Sequence, residues 1–119
     1  MSYSEKIQEV IAGADVALFM KGTPAFVMCG NSDRALQALR RAGASVTAVD
    51  VLPDPAIRQE LTAISGWPTI PQVFVKGELV GGADIVEELE QSGELATTLR
   101  ERLGDDYESS RSERTVAIG

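Results

Sequence analysis

Histidine is absent from the 119 residues of the chain. Its absence removes Cys–His and Ser–His nucleophile pairs, imidazole proton transfer and histidine metal ligands. Cysteine occurs once, as Cys29, so no internal disulfide can form and a zinc site would lack its ligands. Basic side chains are the minority, 11 Lys and Arg against 18 Asp and Glu, giving a formal net charge of −7. That balance excludes an extended nucleic-acid or anionic-membrane surface, which needs clustered cations. It leaves room for a small anionic ligand held by two or three local cations. No apolar run approaches the ~18 residues of a membrane span. The opening residues, Met1-Ser2-Tyr3-Ser4-Glu5-Lys6, lack the basic start and long apolar stretch of a secretory signal. With a single thiol, this makes the cytosol the expected compartment.

What remains is enough for one domain with a proper core, since 44% of the residues are hydrophobic. Ser2 and Glu5 have capping-box spacing, and Ile7, Val10 and Ile11 predict a short helix to about Ala12, ended by Gly13. Val16 to Met20 is continuously apolar, as in a strand covered on both faces. A Gly- and Pro-containing loop carrying Cys29 follows, then a helix to about Ala42, then a strand over Ser45 to Val51. Strand, helix, strand with short links predicts a parallel pair with a right-handed crossover. Asp54-Pro55 predicts a helix start, with Asp as N-cap and Pro in the first helical position. Gly66-Trp67-Pro68 breaks that helix. Gln72 to Val75, a turn at Lys76-Gly77, and Glu78 to Val80 read as a β-hairpin. Two further helices follow Gly81-Gly82 and Gly93. The expected order is α-β-α-β-α-β-β-α-α, a four-stranded mixed sheet between helices. This assigns residues 1–104 to the folded domain and the polar residues 105–119 to a disordered tail.

Cys29 falls where a loop opens into a helix. Unpaired N–H groups and the helix dipole at such a place favour the thiolate, and Lys21 and Arg34 add positive charge nearby. The competing reading is a buried structural cysteine.

Three motifs stand in order along the chain. They are Met20-Lys21-Gly22-Thr23-Pro24 ahead of Cys29-Gly30-Asn31-Ser32, then Trp67-Pro68-Thr69-Ile70-Pro71-Gln72-Val73-Phe74, then Gly81-Gly82-Ala83-Asp84. Together they resemble the monothiol glutaredoxins, a branch of the thioredoxin-like fold, over about residues 3 to 103. The resemblance implies a glutathione site. Lys21 and Arg58 would pair with the glycine carboxylate of the tripeptide, as a point charge and a planar fork. Ile70, before a cis-proline at Pro71, would offer its backbone to the cysteinyl part. Ala83, with its neighbouring N–H groups at a helix start, would take the γ-glutamyl carboxylate, and Asp84 the ammonium. Each has a plainer alternative: solvated cations, a rigid turn, a simple N-cap.

Many family members carry a second cysteine at the Ala83 position, and most have Phe where this chain has Asn31. Val27 and Met28 also depart from the usual Pro and polar residue. Ser32 stands where dithiol relatives carry a resolving cysteine, so Cys29 cannot close an intramolecular disulfide. The resemblance therefore implies a carrier of a [2Fe–2S] cluster, bound by Cys29 of two chains and by two glutathione thiols in a homodimer. It further implies BolA-like proteins and iron–sulfur acceptors as partners. The alternative is a glutathione-dependent oxidoreductase that deglutathionylates mixed disulfides through Cys29 alone. A third reading is a regulatory adaptor with little activity of its own.

Overall fold

The computed structural model describes residues 1–119. Ser2 caps α1 (Tyr3–Gly13) through a complete capping box with Glu5. β1 (Val16–Met20) leads into a small hairpin of β2 (Gly22–Thr23) and β3 (Phe26–Val27). Then come α2 (Gly30–Arg41), β4 (Val46–Asp50) and α3 (Pro55–Ser65), the last capped by Asp54, which accepts from the Ala56 N–H. The β5 (Gln72–Val75) and β6 (Glu78–Gly81) strands form the expected hairpin, with Lys76 and Gly77 both at positive φ in the turn. α4 (Ala83–Ser92) and α5 (Glu94–Leu103) follow, and β7 (Glu113–Thr115) closes the chain. No helix is long and apolar enough to cross a membrane.

The sheet order is β6-β5-β1-β4-β7. β1 runs parallel to β4, as the strand-helix-strand order predicts, and antiparallel to β5. Alternation along β1 divides the core in two. Val16, Leu18 and Met20 face α2, α4 and α5, where they meet Leu36, Leu39, Val86, Leu95 and Leu99. Ala17 and Phe19 face α1 and α3, with Ile7, Ile57 and Leu61, and the Phe19 ring meets Phe74 edge-on at 5.7 Å. The fully covered Val16–Met20 run is the strand that both layers share.

The expected four strands and five helices are present in the expected order. One expectation is corrected: residues 105–119 are not a disordered tail. They form a strap whose β7 adds a fifth strand, parallel to β4, with Val46 donating to Ser112 O and Val116 to Ala48 O. Tyr107 donates its hydroxyl to Ala42 O at 2.6 Å, Arg40 grips Glu113 through two bonds of 2.7 and 2.8 Å, and Ile118 is only 3% exposed under α1 and α3. The polar residues 105–112 cross the surface. The apolar Val116 and Ile118 beyond them give the segment something to bury, and β4 offers it an unpaired edge.

Candidate functional site

The C-terminal ends of β1 and β4 converge on a set of loops at one end of the sheet, and these loops carry the motifs. Asp50, the last residue of β4, accepts the Gly22 and Leu52 N–H groups, each at 2.9 Å. Met28 returns its N–H to Lys21 O at 2.9 Å, closing the β2–β3 loop on itself. Gly22 sits at φ 91° against the Phe26 carbonyl and Met28, where a Cβ has no room. Fully buried Ser32 accepts the Lys21 N–H at 3.0 Å and so pins the end of β1 to the first turn of α2. The loop between is thereby fixed at both ends, and it presents Cys29 half-buried at the N-cap of α2.

The Cys29 side chain makes no full capping bond. The groups around it nevertheless favour its charged form. The Ser32 backbone N–H does most to hold its pKa below the ordinary thiol value; burial opposes, and the Asn31 N–H, the Ser32 hydroxyl and the Lys21 ammonium assist. Cys29 is therefore not a fully buried structural thiol. Arg34 does not contribute, contrary to expectation. Its guanidinium is turned to α4, where it binds Asp84 and Glu87 at 2.8 Å each, and to Asn31 Oδ1 at 3.1 Å.

A groove of about 450 Å³ lies along this end of the molecule, lined by Asn31, Trp67, Thr69, Ile70, Pro71 and the Gly82–Ile85 stretch. The Ile70–Pro71 peptide is cis. Ile70 precedes the first ladder pair of β5, and neither its N–H nor its C=O has a hydrogen-bond partner. Gly82 is the N-cap of α4, without a side-chain cap, so the Ala83 and Asp84 N–H groups are open at the groove's other wall. Three of the expected ligand residues, Ile70, Ala83 and Asp84, thus share one groove. Asp84 is not free as expected, because one of its oxygens is bound by Arg34. Lys21 and Arg58 do not line the groove. Neither forms an ion pair, and Arg58 is exposed on the first turn of α3.

Two further residues, Trp67 and Gln72, shape the groove without a ligand role read from the sequence. Trp67 forms a wall of the groove, its indole N–H buried and unpaired, close enough to Gly82 that a Cβ there would meet the nitrogen at 3.2 Å. Fully buried Gln72 donates to the Trp67 and Thr69 carbonyls at 3.0 and 3.2 Å, which fixes the loop before the cis peptide. Only the position of Gln72 beside Pro71 hinted at this. No group of three or more His, Cys, Asp or Glu side chains is arranged to hold a metal ion. Cys29 is a single soft donor at the surface.

A family model described as Glutaredoxin matches residues 16–80. Glutaredoxin 4 of Escherichia coli is 50% identical over 97 residues, which cover 82% of this chain and 84% of that protein. Monothiol glutaredoxin-S11 of rice is 50% identical over 100 residues, 84% of this chain, which spans only 20% of that longer protein. Among solved structures, buckwheat glutaredoxin in complex with glutathione superposes with a TM-score of 0.72 at 26% identity, covering 83% of this chain and 88% of that one. The lone thiol at a helix start, the unpaired backbone before the cis proline and these likenesses agree: the chain belongs to the monothiol glutaredoxins.

Proposed function

We propose that the chain binds glutathione in this groove and carries a [2Fe–2S] cluster between two of its copies, delivering it to acceptor proteins. The observation that carries this reading is the single half-buried Cys29 thiol, biased towards thiolate and two residues from Asn31, which lines a groove walled by unpaired backbone. The donor set offers the two groups different things. For glutathione it fits: Ile70 offers an N–H and a C=O to the cysteinyl part, and the open start of α4 offers N–H groups to the γ-glutamyl carboxylate. Lys21 and Arg58, free of ion pairs and not among the lining residues, are the proposed partners of the glycine carboxylate. For the cluster, a [2Fe–2S] cargo takes about four ligands, usually thiolates. One chain supplies one, so the fit requires Cys29 from two chains and a thiolate from each bound glutathione. A homodimer when loaded, with BolA-like and iron–sulfur acceptor proteins as partners in the cytosol, belongs to the same proposal.

Anaerobic reconstitution with iron, sulfide and glutathione tests it. The expected product is a coloured dimer with about one cluster per two chains, absent when glutathione is withheld and absent in Cys29→Ser. A Cys29→Ser chain that still takes up a stoichiometric cluster overturns the proposal.

A second reading is favoured by one observation, the polar and exposed Asn31 two residues from the thiol. It admits water where an aromatic side chain would exclude it. In this reading the Cys29 thiolate attacks the glutathione sulfur of a protein mixed disulfide and expels the protein thiolate. A second glutathione thiolate then attacks the same sulfur, releasing glutathione disulfide and restoring Cys29. Turnover of a glutathionylated peptide with excess glutathione supports it; a chain with no such turnover removes it.

A further inference from the structure

The Arg34 guanidinium holds two groove residues at once. Nη1 donates to Asn31 Oδ1 at 3.1 Å, and Nη2 donates to Asp84 Oδ1 at 2.8 Å. The same head is anchored to Glu87 through Nε at 3.3 Å and Nη2 at 2.8 Å. Arg34 is therefore committed to protein partners and ties α2, which bears the thiol, to α4, which forms the opposite wall. Because one planar fork holds both, the Asn31 amide and the Asp84 carboxylate stand side by side at one end of the groove.

The arrangement decides which atoms remain for a ligand. With Oδ1 occupied by Arg34, Asn31 keeps its Nδ2 amide, a pair of donors with no partner in the protein. Asp84 keeps its second oxygen as an acceptor. The Ala83 and Asp84 N–H groups add donors beside them. Donors and a carboxylate acceptor placed together match an α-amino-acid zwitterion, with its carboxylate on the donors and its ammonium on Asp84.

We infer that Asn31 is a specificity-determining residue, its Arg34-oriented amide donating a hydrogen bond to the α-carboxylate at the γ-glutamyl end of the bound peptide. This rests on the glutathione reading above and deepens it. An aromatic side chain at this position has no such donor, so the departure from the family pattern exchanges an apolar cover for a polar contact.

The test compares two ligands by calorimetry: glutathione, and the peptide in which 4-aminobutyrate replaces the γ-glutamyl residue and so lacks the α-carboxylate. Wild type, Asn31→Leu and Asn31→Asp are titrated with each, with melting temperatures recorded. Losing a hydrogen bond to a charged group should weaken glutathione about tenfold in Asn31→Leu, and Asn31→Asp should weaken it further by repelling the carboxylate. The decarboxylated peptide should bind wild type and Asn31→Leu alike, and Asn31→Asp no more weakly, because the added carboxylate attracts the ammonium it retains. Equal glutathione affinity in wild type and Asn31→Leu overturns the inference alone, as does an equal loss for both peptides. A folded wild type that binds neither peptide overturns the glutathione reading and this inference with it.

Discussion

Helices α1 and α3 begin with a polar side chain folded back onto the first turn, while α2 and α4 begin without one. Ser2 and Glu5 close a reciprocal box on α1, and Asp54 accepts the Ala56 N–H on α3. Cys29 and Gly82 occupy the equivalent positions of α2 and α4, and neither makes a side-chain cap. The capped pair lies on one face of the sheet, in the layer of Ile7, Ile57 and Leu61. The uncapped pair lies on the other face, and both starts open at the same end, one biasing the thiol and the other walling the groove. An unfilled helix start leaves N–H groups available to a ligand or a thiolate, at the expense of about 1 kcal/mol that a cap would contribute. The fold thus keeps local stability where no chemistry occurs and withholds it where binding is expected.

The largest expected effect comes from breaking the support behind an uncapped start. Ser32→Ala removes the acceptor of the Lys21 N–H and a hydroxyl beside the sulfur. Leaving that N–H unpaired should lower stability by about 1–3 kcal/mol. The pKa of Cys29 should also rise, read from the pH dependence of alkylation. Unchanged stability and unchanged alkylation would show that Ser32 is only a filler in the core.

Ser2→Ala at a capped start should behave in the opposite way. Denaturant titration should show a loss of about 1 kcal/mol, with glutathione affinity and Cys29 alkylation unchanged. Any loss of ligand affinity there would break the separation between the two pairs of helices.

Capping α4 sharpens the contrast. Gly82→Asp supplies a capping carboxylate for the Asp84 or Ile85 N–H and a negative charge at the open helix start, so glutathione affinity should fall about tenfold, equivalent to about 1.4 kcal/mol. The new Cβ must also fit 3.2 Å from Trp67 Nε1 and 3.3 Å from Pro71 O. Gly82→Ala supplies the same crowding without the cap. An equal loss in both variants assigns the effect to crowding and removes the helix start from the site.

The sequence made the capped starts legible because their signals are local: Ser2 with Glu5, Asp54 with Pro55. The uncapped starts were legible only through motif spacing, since Cys29 and Gly82 carry no capping signature of their own. Ile70, Ala83 and Asp84 are expected at one site only through the family resemblance, and the structure brings them to one groove because β5 begins and β6 ends at the same end of the sheet. The role of Arg34 is not legible in the sequence because its partners, Asp84 and Glu87, lie 50 and 53 residues away and depend on how α2 packs on α4. The strap failed for a similar reason. Its polar first half reads as disorder, whereas its strand exists only because β4 has a bare edge and Ile118 a place beneath α1 and α3. Pairing across such separations is a property of the packed layers and leaves no periodic signal in the segment itself.

The smallest expected effect concerns charge at the thiol. Lys21 contributes least among the groups that lower the Cys29 pKa, behind the Ser32 and Asn31 N–H groups and the Ser32 hydroxyl. Lys21→Gln should therefore raise the midpoint of the alkylation profile slightly and leave it below that of a free cysteine. The sign for stability follows from the same shift. A thiol whose folded pKa is lowered stabilises the fold at pH above its unfolded value, and that contribution is lost as the pH falls through the folded value. Relative to Cys29→Ser, the wild-type chain should thus gain stability as the pH is raised into the alkaline range, with a slightly smaller gain in Lys21→Gln. A midpoint that climbs to the free-cysteine value on removing Lys21 would mean that the lysine, and not the uncapped helix start, biases the thiol. A midpoint that does not move would leave the N–H groups of α2 and the Ser32 hydroxyl as the whole source of the bias.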